Sequence, residues 1–500
     1  MNRRTILFLS IVAALPFTSA SAQVAEPAIS PTRMLEAAVR DTNSPTGHIA
    51  FDGLRNLRDP SLRPLFSWLS TARSPGQRRQ GVLGLAELET PPRINPLLLS
   101  RIPDRAEQAA LLGEGLALDL IGTDQIEQML AWPDLEPYIE VALRARLQRE
   151  GKALDRARVE SLAEKGGLST ELLAAAVLAQ AGEPGRLDQA AGKLLALSDP
   201  ARGAIIGPLL ESVRRERLSK ASPLIGRLHA VYTSYPSLAA DILRTWIRLA
   251  PEDGLPVLYQ AWDKAAGLPE QLRLALIALD ASDLADPSLF DRIATASDNE
   301  VLSAMGRLGG VLARKEPAIP ALHDLIKLRY LAVELWIMDR AKTWDAETSA
   351  EACRAMINAW AARPSTPDPI SDAVLPAAKG LVEADREFLA SALVKACERT
   401  DDRIALAITM ALLAKNSPPV WDVNHPPRWP DNQSEAVGLL VYAQSVEPSK
   451  FPAGWTPALE GIATGVGTRL SPPMRAQAAW LLVKIRDQEE QTLARLLAGG

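Results

Sequence analysis

Apolar residues recur at intervals of three and four along most of this chain. In DNEVLSAMGRLGGVLAR they are Val301, Met305, Leu308 and Leu312. In SPPMRAQAAWLLVKI they are Met474, Ala478, Leu481 and Ile485, and in DDRIALAITMALLAK they include Ile404, Ile408 and Leu412. Each set falls on one face of a helix. The run from Ser169 to Gly182 (STELLAAAVLAQAG) is apolar almost all round. It predicts a helix covered on both sides. Helix-start residues, mostly Ser, Asp or Pro, precede these runs near Ser74, Asp104, Asp134, Ser169, Pro200, Pro236, Leu268, Asp298, Leu328, Asp368, Asp401, Asn432 and Ser471. The mean interval is about 33 residues, which is the mark of an internal repeat. Less regular second helices lie between them, for example Pro60 to Ser70 and Ser288 to Ala296.

A period of this size with two helices per unit fits few repeat types. No Thr-Pro-Leu-His element of ankyrin repeats appears, nor the Trp, Leu-Gly, Tyr and Pro spacing of tetratricopeptide repeats. The stretch Ser74 to Leu88 (SPGQRRQGVLGLAEL) resembles the second helix of a HEAT-type repeat of the short variety. Arg lies early, and a small residue and Leu-Gly-x-Leu follow. Most other units lack that family's Asp…Val-Arg signature, so the likeness is one of architecture, over roughly residues 31–500. It implies an all-α fold, a right-handed α-solenoid of stacked helical hairpins. Such arrays hold another protein or an extended peptide on a concave face.

The organisation expected along the chain has five parts. Residues 1–22 read as a secretory signal peptide: Arg3 and Arg4, then the apolar run Ile6 to Phe17, then Ala20-Ser21-Ala22. Cleavage would fall between Ala22 and Gln23. The paired arginines also faintly resemble a twin-arginine signal, but the general secretory route is the better match. This predicts a periplasmic or secreted protein with no transmembrane helix in the mature chain. Residues 23–58 form an N-terminal cap segment and 59–415 the repeats. Residues 416–457 are Pro- and Trp-rich loops, and 458–500 a C-terminal helical cap.

Composition agrees with helix. The chain of 500 residues contains 79 Ala and 75 Leu against 23 Val and 24 aromatic residues. Strong helix formers dominate and sheet formers are scarce. The formal charge is −5, and no basic excess exists to hold a phosphate backbone, so nucleic acid is not an expected partner.

Candidate chemistry is sparse. No metalloprotease, nucleophile-elbow, Walker or haem motif is found, and no cofactor or metal is expected. His48, His229, His323 and His425 are scattered. The loop NSPPVWDVNHPPRWPD (416–431) is the segment most suited to binding. Trp421 and Trp429 could form an aromatic platform edged by Asp422, with His425 between them, of a kind that suits sugar rings or Pro-rich peptides. They could equally fold back and seal the array. Cys353 and Cys397 could form a disulfide in an oxidising compartment, or remain two buried thiols. The acidic stretch 280–300 reads as helix caps and a solvated edge, and RRERLSK (Arg214 to Lys220) as a solvated basic helix end. The function expected is a secreted, non-catalytic scaffold for protein–protein interaction. The alternative is a secreted carbohydrate-active enzyme on a helical toroid, or a glycan-binding module.

Overall fold

A computed structural model describes residues 30–40, 49–232, 235–361, 446–465 and 470–498, with isolated positions between 377 and 444. Every regular element among the described residues is helical, and no strand occurs there. We number the 24 α-helices of these residues α1 to α24 in chain order. No described helix is long and apolar enough to cross a membrane. The cleavage pair Ala22 and Gln23 lies outside the described residues.

The helix starts fall where cap chemistry places them. α4 (Pro75–Leu88) starts after Ser74, and α6 (Arg105–Ala117) is capped by the Asp104 carboxylate, which accepts from Ala106 N and Glu107 N. α18 (Glu300–Arg314) is capped by Asn299 through Leu302 N, and α23 (Pro472–Ile485) begins after Ser471. Ten of the thirteen expected starts lie within the described residues, and each has a helix beginning within three residues of it. The starts expected at Asp368, Asp401 and Asn432 lie outside them. The Asp104 carboxylate and the Asn299 amide each satisfy an otherwise orphaned N–H, whereas Ser74 and Ser471 precede their helices without a side-chain cap bond.

Two compact units result, and they are described separately. One comprises residues 1–125 and 422–500, the other residues 126–421. In the second unit, α8 (Pro137–Arg149), α10 (Leu168–Gln180), α12 (Asp199–Arg215), α14 (Pro236–Leu249), α16 (Leu268–Asp280) and α18 each touch the next of the series. The intervening helices pack alongside, as α17 (Pro287–Thr295) does against α18. That contact is close because Gly309 faces Phe290. A Cβ there would lie 2.1 Å from the ring.

α10 is enclosed, as its all-round apolar pattern predicts. Leu172, Leu173 and Ala174 to Ala179 are all buried. The small alanines let α8 and α12 meet beside it. Tyr138 Oη and Ser212 Oγ are 2.9 Å apart. Glu216, just past α12, is completely buried and accepts from Arg146 Nε at 2.9 Å and Arg215 Nε at 2.6 Å. Arg149 stands 3.8 Å away. This corrects the solvated face expected for Arg214 to Lys220. A charge-rich run looks exposed in isolation, but here α8 supplies cations that allow its carboxylate to be buried.

In the other unit, the segments expected as caps at opposite ends pack on each other. α1 (Pro31–Arg40) and α2 (Ala50–Leu57) both lie against α23, and α24 (Glu489–Ala498) lies against α3 (Arg63–Leu69). The Pro-rich stretch 447–457 forms two short 3₁₀ turns, Pro448–Lys450 and Ala453–Trp455, followed by α22 (Thr456–Thr464). Phe451 and Trp455 turn inward and are buried.

Arg–carboxylate pairs tie alternate helices within each unit. Arg55 of α2 donates to Glu87 of α4 at 2.7 Å, and Arg79 of α4 grips Glu114 of α6 with two bonds of 2.6 and 2.9 Å. Arg214 of α12 reaches Asp241 of α14 at 2.9 Å, and Arg248 of α14 reaches Asp283, just past α16, at 2.9 Å. The partners are 32, 35, 27 and 35 residues apart. These four separations bracket the mean spacing of the helix starts, while other pairs, such as Arg146 with Glu216, reach 70 residues.

Candidate interaction surface

Most charged side chains named above are committed to such pairs. The acidic stretch 280–300 shows this well. Asp286 caps α17, Asp291 accepts from Arg314, and Asp280 and Asp283 face Arg248 and Arg340. It is a helix-cap and ion-pair edge, and among the described residues no group of three metal-ligating side chains exists.

The second unit also exposes several large apolar side chains. Val231, Tyr235 and Leu268 are exposed, Tyr235 by 48% and Leu268 by 39%. Tyr235 and Leu268 stand at the starts of α14 and α16, which run parallel. Near their starts, Arg273 of α16 donates to Pro236 O of α14 at 3.1 Å. Near their ends, Arg248 joins Asp283. Tyr235 is the N-cap residue of α14 and Gly267 that of α16, with φ 99°, and neither supplies a side-chain cap. No side chain therefore caps the first-turn N–H groups of either helix. The Tyr232 and Tyr235 rings lie 5.7 Å apart, and the Arg202 guanidinium sits 5.7 Å from the Tyr232 ring.

α20 (Leu331–Ala341) carries a second apolar patch. Leu331 and Leu335, one turn apart, are exposed by 49% and 39%. Tyr330 precedes α20 without a side-chain cap, as at α14 and α16.

Ser222, Asp253, Trp246 and His229 come close to a nucleophile arrangement and fail chemically. Ser222 Oγ accepts from Trp246 Nε1 at 2.7 Å and donates to Asp253. The hydroxyl is thus held by a carboxylate and an indole, with no imidazole as base. His229 faces the Trp246 ring, with centroids 6.1 Å apart. Burial, and then the Arg273 cation, push its imidazole below the ordinary value. The group is a strut joining α13 (Ser222–Val231), α14 and α15 (Pro251–Lys264). His323 Nε2 lies 2.9 Å from Glu351 Oε1, and Glu351 also accepts from Arg354. That chain links α19 (Ile319–Lys327) to α21 (Ala346–Ala361).

Trp421, Asp422, His425 and Trp429 lie outside the described residues, as does His48. Cys353 is a buried free thiol whose pKa burial pushes up to about 11, although Arg354 opposes the rise. Its expected partner Cys397 lies outside the described residues. The residues missed in the sequence are Tyr235 and Leu268. Their signal was an aromatic and a Gly-Leu pair at helix starts, in place of the Asp or Asn that caps α6 and α18. Comparisons with known protein families, with curated proteins and with solved structures find no match for this chain.

Proposed function

We propose that this protein is a HEAT-like, right-handed α-solenoid scaffold of stacked helical hairpins, exported to the periplasm, that binds another protein without catalysis. The observation that carries the reading is the paired start of α14 and α16. There Val231, Tyr235 and Leu268 are all exposed, and no side chain caps the first turn of either helix. The occupant that fits is an extended segment of a partner protein. Its apolar side chains would cover Tyr235 and Leu268, and its carbonyl or carboxylate oxygens would accept from the helix starts. The tying of nearby charges into inter-helix pairs supports this, because it leaves apolar contact as the main means of recognition. The strut at Ser222 supports the absence of catalysis on this face.

The test is cross-linking capture with chain 23–500 as bait in a periplasmic extract, beside the variant Tyr235→Asp/Leu268→Asp. We expect one or two proteins, cross-linked near residues 231–273, that the variant fails to retain. An unchanged captured set with the variant, or recovery of glycan alone, would refute the reading.

A further inference from the structure

The two ends of the described chain share one core. Thr32 Oγ1 and Thr492 Oγ1 are 2.8 Å apart, 460 residues distant in sequence, and both are buried. Glu36 pairs with Arg495 at 2.7 Å. The Asp59 carboxylate accepts from Trp480 Nε1 at 2.9 Å and Lys484 Nζ at 2.8 Å. At Gly53 the two backbones touch, since a Cβ there would lie 2.0 Å from Pro473 O. Around these contacts Met34, Leu35, Phe51 and Leu54 are buried with Met474 and Trp480. α3 and α4 differ. They pack closely on each other through Gly81, which abuts Ser70 N and Phe66 O, and Gly84, which abuts the Phe66 ring.

We infer that α1–α2 and α22–α24 form a clasp, a conformational device that closes only after residues 456–498 have been made and that opens as one cooperative piece. A chain is synthesised from its N-terminus, so α1 and α2 emerge more than 400 residues before the helices that cover them. Until then the faces of α1 and α2 that pack on α23 stay uncovered, although α2 already has α4 beside it. Among the described residues α1 has no partner of comparable extent nearer in sequence: it packs chiefly on α23, then on α22, and only lightly on α2. Opening the clasp bares the apolar faces of both ends together and leaves the α3–α4 pair intact. Such a unit matches the cooperative local openings that native-state exchange detects.

The test is native-state hydrogen exchange with mass spectrometry on the full chain, on Gly53→Leu and on the milder Thr492→Val. In Gly53→Leu, amides of α1, α2, α23 and α24 should exchange faster by a common factor of at least about tenfold, while α8 to α18 keep their rates. In Thr492→Val the same four helices should speed up together by a smaller common factor. If Gly53→Leu yields no folded protein, Thr492→Val alone decides. Loss of protection at one end without the other, a rise shared by α8 to α18, or unchanged rates in Thr492→Val would overturn the inference.

Discussion

The second unit is built between neighbours, whereas the first is built between strangers. From α8 to α18 each helix of the series touches the next, and ion pairs such as Arg214–Asp241 and Arg248–Asp283 join alternate helices 27 and 35 residues apart, while Arg146 reaches Glu216 across 70 residues. In the first unit α1 and α2 wait for α23, more than 400 residues later. The difference teaches that a repeat can supply both kinds of core at similar thermodynamic cost. Each doubling of a closed loop costs only about 0.6 kcal/mol, so an end-to-end closure costs about 2 kcal/mol more than a closure between adjacent units. The larger consequence is kinetic, because long-range contacts form late.

Substitutions that break one region and spare the other sharpen this contrast. The largest effect is expected in the second unit from Glu216→Ala, which leaves the buried Arg146 without its carboxylate. We expect a loss of about 3–5 kcal/mol, read by chemical denaturation, with the transition of the second unit shifted first. Gly53→Leu strikes the first unit alone. A side chain against the Pro473 backbone should cost about 3 kcal/mol and be seen as early loss of the Trp455 and Trp480 fluorescence environment.

Asp59→Asn is a gentler test of the same join. Burial opposes ionisation of Asp59, but hydrogen bonds from Lys484, Ser61 and Trp480 outweigh it and hold the carboxyl below its ordinary value. A folded-state value below the unfolded one stabilises the protein at pH above the unfolded value. The contribution disappears as pH falls through the folded value. The first unit of the native chain should therefore weaken below about pH 4, and Asp59→Asn should show that weakness at neutral pH, by about 1–2 kcal/mol. An acid titration of melting temperature that leaves native and variant chains equally sensitive would contradict it.

The smallest expected effects are at single surface positions. Lys315 ends α18 in the left-handed region at φ 57°. Lys315→Gly should stabilise the second unit by about 0.5–1 kcal/mol. Arg63→Ala removes a pair with Glu89 in which both side chains are about half exposed. It should change the stability of the first unit by under about 0.5 kcal/mol.

The positions of these residues show what could be read in the sequence. Helix starts were legible where side chains such as those of Asp104 and Asn299 do cap chemistry that few other residues can do. Helix ends were not, because Arg58, Asp119, Arg217, Lys315 and Asp487 occupy left-handed positions where glycine is the usual signal. The burial of α10 was legible in its all-round apolar run. The burial of Glu216 was not, since it depends on Arg146 from another helix. Meeting of the chain ends was invisible for a related reason: a period records what each unit shares with the next, and the contact of Gly53 with Pro473 occurs once. Tyr235 and Leu268 were overlooked because a single exposed apolar residue is ordinary on any surface. Only the parallel alignment of α14 and α16 relates their two helix starts.

The most direct test of the account is to join the ends covalently. Thr32→Cys/Thr492→Cys places two thiols where two hydroxyls now meet at 2.8 Å in a buried contact. Under mild oxidation the account predicts an intramolecular disulfide between positions 32 and 492. Peptide mapping should find it in nearly every molecule, with no loss of helical signal. Thiols that stay free, or that bridge only between molecules, would show that the ends do not meet and would contradict the central claim.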